Sequence, residues 1–397
     1  MNLVASAKME KLTTGIFTEL AERKQGCFMR GMDVIDLSVG SPDLPPPKQV
    51  METIAKYSMD PANYGYTLKG TAEFNEAVSY FYKKRYEVEL DSKTEVLQLM
   101  GSHDGIAHLA IAMVDHGEYV LVPDPGYPIY EAGVTIAGGN IYPMPLLEEN
   151  GFFPVFEDIP EDVLKRTKMM ILGYPGNPVP QLADRRFFEK VVEFARKYEI
   201  LVVHDFAYSE LIFDNNPQIS FLSVEGAKEV GIEFNSLSKT FNVAGCRIGY
   251  VVGNAQALQI LASLKSHMDY GVFLPIQKAA TAALTGDHSI LDEQVNVYEE
   301  RRNALVEGLT KGGWKVDSPP ATMFVWARIP EGWTSRQFAF DLIEKAGVAV
   351  IPGDAFGKQG EGYVRIALVQ PVDRLAVATE RIRQFLIANP SGETVEV

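Results

Sequence analysis

Cysteine is nearly missing from this chain: there are two in 397 residues, Cys27 and Cys246. At most one bridge could form, which excludes a disulfide scaffold. The six histidines never fall in the H-E-x-x-H spacing, and no close cysteine pair accompanies them. A zinc enzyme is therefore not expected, and no metal ligands are assigned. There is no G-x-S-x-G elbow either, and "GSHDG" (101–105) does not fit that spacing, which argues against a serine hydrolase. No apolar run reaches bilayer-spanning length. The opening "MNLVASAKMEKLTTGIF" lacks the continuous apolar core of a signal peptide. Positive charge is also short, with 37 Lys and Arg against 52 Asp and Glu, a net −15. Such a surface repels nucleic acid and anionic membranes, so neither is expected as a partner. Any anionic ligand must then be held by a local cluster. What remains is the expectation of a cytoplasmic globular protein. The 46% apolar and 22% charged content fits that class, and the length allows two domains.

The distribution of apolar residues sets the fold class. From about 46 to 285, short apolar runs alternate with helical periodicity. The strand candidates are 95–100, 119–123, 140–144, 169–175, 200–205, 232–237 and 247–253. Helices are expected at 104–115, 128–137 and 184–198. This alternation predicts an α/β large domain over 46–285, with a mostly parallel seven-stranded sheet flanked by helices. After about 286 the pattern changes. A long helix near 289–311 leads to "MFVWARI", a helix near 335–346, "VAVIPG", "GYVRIALV" and a last helix at 371–387. Residues 286–397, with an N-terminal arm and short helix in 1–45, read as a smaller α+β domain. The tail "NPSGETVEV" is expected to fray.

Polar residues recur at the ends of the predicted strands. Ser102 follows 95–100, Asn177 follows 169–175, and Asp205 ends 200–205. Ser236, Ser238 and Lys239 lie at or just past the end of 232–237. Ligands of open α/β sheets bind outside the carboxyl ends of strands, so these segments would meet in one crevice. Alone, Ser102 reads as a plain helix cap. Ser236, Ser238 and Arg247 could equally be caps and a surface ion pair. Together with a helix N-terminus they would suit a phosphate. Asp205 ends an apolar strand and needs a partner; it could be a buried ion pair or a fixed anion facing a ring nitrogen. Tyr127 and Tyr208 offer an aromatic face and a phenol. A lysine for an aldehyde, an anion for a ring nitrogen and a cup for a phosphate together match pyridoxal phosphate.

The chain resembles the class I/II aminotransferases, of the aspartate aminotransferase fold (fold type I), over nearly its whole length. "SLSKTFNVAGCRIGY" is similar to the family's lysine motif. "DPGYPIY", "YPGNP", "HDFAYSEL" and "GYVRIALV" follow the family's order. The resemblance implies that Lys239 binds the cofactor aldehyde and later moves the substrate α-proton. It implies that Asp205 pairs with the pyridine nitrogen, Asn177 and Tyr208 with the phenolic oxygen, and that Tyr127 stacks on the ring. Ser102, the backbone at His103, Ser236, Ser238 and Arg247 would hold the phosphate. Arg365 would grip the substrate α-carboxylate, with Gly40 letting it approach. "NYGYTLKG" resembles the segment that lends a tyrosine to a neighbouring subunit; Tyr66 is preferred, with Tyr64 as the alternative. That implies a homodimer with shared sites.

Some positions depart from the family. "NPVP" replaces Asn-Pro-Thr-Gly, and Cys246 stands where tryptophan is frequent and reads as a small core residue. His103 stands where diaminopimelate aminotransferases commonly carry lysine, and Tyr270 where they carry a substrate-binding asparagine. "DYGVFLPIQ" is closer to bacterial alanine aminotransferases. The expected reaction is ping-pong transfer from alanine or a similar L-amino acid to 2-oxoglutarate or a similar 2-oxo acid. LL-diaminopimelate, aspartate and methionine remain open as donors, as does a carbon–sulfur lyase on the same fold.

Overall fold

The computed structural model describes residues 3–12 and 15–390. All but the first two residues of the "NPSGETVEV" tail lie outside that range. Seven strands form the large sheet: β1 (Val96–Leu99), β2 (Tyr119–Asp124), β3 (Asn140–Pro145), β4 (Thr167–Leu172), β5 (Leu201–Asp205), β6 (Gly231–Ser236) and β7 (Gly249–Gly253). Their order is β1-β7-β6-β5-β4-β2-β3. Six run in one direction, and β7 alone is antiparallel to both its neighbours. All seven match expected strands. Two ends differ. The 169–175 run leaves the sheet at Leu172, and the 247–253 run enters it only at Gly249, because Arg247 sits at φ +51, outside the β region.

The central strands read as unbroken apolar runs because both sheet faces are covered. Val120, Val122, Met169, Ile171 and Val203 pack beneath α1 (Ser102–Met113) and α2 (Ile129–Ala137). Their neighbours Leu121, Met170, Leu172 and Val202 point the other way, into a core with Phe188 and Val191 of helix Arg185–Tyr198. That second layer also holds a buried polar pair. His204 and Glu233 are opposite each other on β5 and β6, with Nδ1 2.8 Å from Oε2. Glu233 also accepts from the Tyr82 hydroxyl at 2.9 Å, the Ser220 hydroxyl at 2.8 Å and the Phe221 amide at 2.9 Å.

Outside the large sheet, β8 (Phe324–Arg328), β9 (Ile351–Pro352) and β10 (Tyr363–Ala367) form an antiparallel sheet in the order β9-β10-β8. Helices Ser289–Lys311, Ser335–Ala346 and Val372–Ala388 lie where the periodicity placed them. The expected short N-terminal helix is instead the 15-residue helix Gly15–Met29. Only Leu20 and Cys27 are buried along it, so its apolar periodicity is weak. Those two residues join the core of Phe338, Leu342 and Ile343, and Arg23 pairs with Glu344 on the same helix.

Candidate active site

The carboxyl ends of the six co-directional strands bring the polar residues together. Asp205 ends β5, and Ser236 ends β6. Lys239 lies in the short turn of helix Leu237–Thr240 that follows. Ser102 opens α1, and Tyr127 precedes α2. Because β7 runs backwards, its first residue Gly249 is level with Leu99 and Ser236, the last residues of β1 and β6. Arg247 therefore reaches the same edge.

Lys239 Nζ donates to the Gly40 carbonyl at 2.7 Å. Burial pulls its pKa from 10.5 down to about 8, helped by the charges of Arg365 and Arg247 and opposed by Asp205. Asp205 has no cationic side chain as a partner among the described residues. Its Oδ2 accepts from the Tyr130 hydroxyl at 2.7 Å, and its Oδ1 from the Ala207 amide at 3.2 Å. Burial pushes this carboxyl upward, while those two donors hold it down.

Arg247 makes no ion pair among the described residues. It donates only to the carbonyls of Ala244 at 3.2 Å and Met100 at 3.4 Å. Its guanidinium lies over Gly101, where a Cβ would come within 2.5 Å of a terminal nitrogen and where φ is +95. Only glycine admits the arginine there. Ser236 Oγ accepts from the Ser238 amide at 3.2 Å, as a cap. The amino end of α1, Arg247 and these serines thus face one place.

Arg365, on β10, is 5% exposed. It donates to Asn177 Oδ1 at 2.8 Å and to the Ser38 carbonyl at 3.0 Å. Its guanidinium carbon sits 4.2 Å from the centre of the Phe324 ring and 4.9 Å from that of Phe356. Burial lowers its pKa to about 10. No carboxylate pairs with it among the described residues, and its Nε has no partner. A buried cation left in this way has room for an anionic ligand. Gly40 leaves the approach open, since a Cβ would stand 3.7 Å from both Arg365 and Phe324. Tyr208 packs edge-on against the same Phe324 ring at 5.6 Å. A cavity of about 760 Å³, lined among others by Phe17, His103, Tyr127, Glu131 and Phe356, opens beside this cluster.

Tyr66 and Tyr270 lie elsewhere on this chain. Their rings pack together at 5.0 Å, and they are 82% and 58% exposed. The Tyr64 hydroxyl is engaged with the Ser58 carbonyl at 2.9 Å. Cys246 is half-buried beside Leu237, Phe241 and Ile276, as a small packing residue. The residue that motif reading passed over is Tyr130. In "DPGYPIY" it reads as an ordinary core tyrosine at a helix start, and its partner lies 75 positions away.

The model of the family "Aminotransferase class I and II" matches residues 32–382. The chain belongs to that family. This aminotransferase is 45% identical to an LL-diaminopimelate aminotransferase of Moorella thermoacetica, over 96% of this chain and 97% of that one. It is 42% identical to the glutamate-pyruvate aminotransferase AlaC of Escherichia coli, over 96% and 94%. A substrate-bound structure of BacF from Bacillus subtilis superposes with a TM-score of 0.93 at 38% identity, over 96% and 98%. The enzyme is pyridoxal phosphate-dependent, as its family is. Its site fits that cofactor on three observations: the unpaired Arg247 over the Gly101 slot, the partly desolvated Lys239, and an Asp205 carboxylate held by two donors without a cation. Among the described residues, no helix is long and apolar enough to cross a membrane.

Proposed function

We propose that this aminotransferase moves the amino group of alanine or a similar L-amino acid to a 2-oxo acid such as 2-oxoglutarate, in ping-pong order. The observation that carries the reading is Arg365, a buried guanidinium without a carboxylate partner. It suits a substrate α-carboxylate in a two-pronged pairing, with Gly40 giving access. Bound pyridoxal phosphate supplies the aldehyde that takes up the amino group and a ring that draws electrons from the α-carbon. Asp205 would face the ring nitrogen as a fixed anion, and Asn177 and Tyr208 would serve the phenolic oxygen. Tyr127 would cover the ring. Ser102, the His103 amide, Ser236, Ser238 and Arg247 would hold the phosphate. Lys239 Nζ, with its pKa near 8, keeps a usable neutral fraction near physiological pH and takes the proton from the α-carbon.

The other buried arginines, Arg301 and Arg302, are held by Asp43 and Asp214. Among the described residues of one subunit, no second buried arginine is thus left free for a distal donor carboxylate, which favours alanine over aspartate. The likeness to AlaC supports the same choice. LL-diaminopimelate is the second reading, favoured by the names of several relatives at 40–45% identity. A panel of amino donors against 2-oxoglutarate and pyruvate separates the two. Alanine should give the highest kcat/KM, and a strong preference for LL-diaminopimelate would replace it.

The same reading makes the enzyme a cytoplasmic homodimer. Residues 46–285 form its cofactor domain; 1–45 with 286–397 form its small domain. Tyr66 is lent to the neighbouring subunit's phosphate, and Tyr270 lies at the substrate side. Mixing Lys239→Ala with Tyr66→Phe subunits should restore one intact site per hybrid. Activity no higher than the sum of the separate variants would rule out sharing through Tyr66.

A further inference from the structure

We propose that Tyr130 is the positioning residue for Asp205, holding its carboxylate in the orientation that meets the cofactor's ring nitrogen. The proposal rests on the reading of Asp205 given above. The Tyr130 ring is buried, 3% exposed, at the start of α2. Its hydroxyl reaches across the sheet end to Asp205 Oδ2 at 2.7 Å. The other oxygen, Oδ1, takes the Ala207 amide at 3.2 Å. Two donors on two oxygens fix the plane of the carboxylate and leave each oxygen a lone pair. A buried carboxylate with only the amide would be free to turn about its χ2.

The surroundings are built around this phenol. Gly173, just past β4, faces it: a Cβ there would stand 3.3 Å from the Tyr130 hydroxyl and 3.8 Å from the Asp205 carbonyl. The Tyr130 ring meets Tyr127 edge-on, with centroids 5.9 Å apart and planes at 84°. Tyr127 is in turn held by His103, whose Nδ1 is 3.1 Å from its hydroxyl. The residue proposed to cover the cofactor ring and the residue that aims the anion are therefore in direct edge-on contact. With its hydroxyl committed to Asp205, Tyr130 acts through that carboxylate.

Tyr130→Phe keeps the ring packing and removes only the donor. Cofactor-stripped protein titrated with pyridoxal phosphate should bind about tenfold more weakly, as expected for loss of one charge-assisted hydrogen bond. The visible band of the holoenzyme should shift, kcat should fall, and KM for the amino donor should stay within about twofold. In an Asp205→Asn background the same substitution should change affinity by less than about twofold, because coupled residues are not additive. Gly173→Ala, which crowds the phenol without removing it, should weaken binding in wild type but not beside Tyr130→Phe. Wild-type affinity and an unmoved band in Tyr130→Phe would overturn the proposal. So would an equal loss in the Asp205→Asn background. If Asp205→Asn alone binds the cofactor as wild type does, the ring-nitrogen reading falls, and this proposal with it.

Discussion

Replacing Lys239 by methionine should make the cofactor-free protein more stable near neutral pH. Methionine keeps the apolar stem of lysine and removes an ammonium from beside Arg365 and Arg247. A pKa held at about 8 instead of 10.5 corresponds to a penalty of roughly 3 kcal/mol on the charged form, at about 1.4 kcal/mol per tenfold. The Gly40 carbonyl loses its 2.7 Å donor in the variant, which costs about 1 kcal/mol. The net expected gain is therefore about 2 kcal/mol. The pH dependence has a fixed sign. A lysine whose folded pKa lies below its unfolded value binds fewer protons in the fold between the two. The penalty is complete below about 8 and fades as pH rises toward 10.5. Wild-type stability should thus rise over that window relative to Lys239→Met. Urea unfolding of both stripped proteins at about pH 7 and about pH 10 measures it. A difference that stays constant with pH, or a variant less stable at both, would refute the argument.

Other perturbations follow from the same geometry. Arg365→Lys should lower kcat/KM for every amino donor by about a hundredfold or more, since one ammonium cannot reproduce the two-pronged grip; steady-state kinetics would show it, and a smaller loss would move the carboxylate elsewhere. Gly101→Ala puts a Cβ 2.5 Å from Arg247 at a positive φ. It should weaken pyridoxal phosphate binding and lower stability by about 1–3 kcal/mol, read by titration and thermal unfolding. Glu233→Ala leaves His204 Nδ1, the Tyr82 and Ser220 hydroxyls and the Phe221 amide without their acceptor in a buried layer. A loss of about 3–5 kcal/mol is expected in urea unfolding, against near-wild-type values if water fills the gap.

The parts of the fold that were plain in the sequence are those whose burial is one-dimensional. Runs such as "ILVVHD" are apolar at successive positions because helices cover both sheet faces. Helices such as 289–311 and 335–346 carry their own periodic stripe and caps. The N-terminal helix was expected to be short, and its full 15 residues were not legible because it buries only two side chains, too few to set a period. The end of β4 was misread because "GYP" is apolar but bends away to deliver Asn177. Within the site, residues that belong to a motif were visible as such. Tyr130 was not, because its proposed role depends on a partner 75 positions away at the end of a strand, and a tyrosine beside an isoleucine looks like packing. The pairing of Asn177 with Arg365 was equally hidden, being a contact across 188 positions.

The reversed direction of β7 has a consequence for how such an enzyme can change over time. It folds the chain back so that Ser236, Ser238, Lys239 and Arg247 arrive from one continuous stretch. On the proposed reading, the grips for both ends of the cofactor are inherited together, as a unit that recombination cannot easily split. Arg365 and its aromatic bed come from a separate stretch far downstream. A lineage could therefore exchange or drift in the C-terminal third and acquire new amino donors while its hold on the cofactor passed unchanged to every descendant.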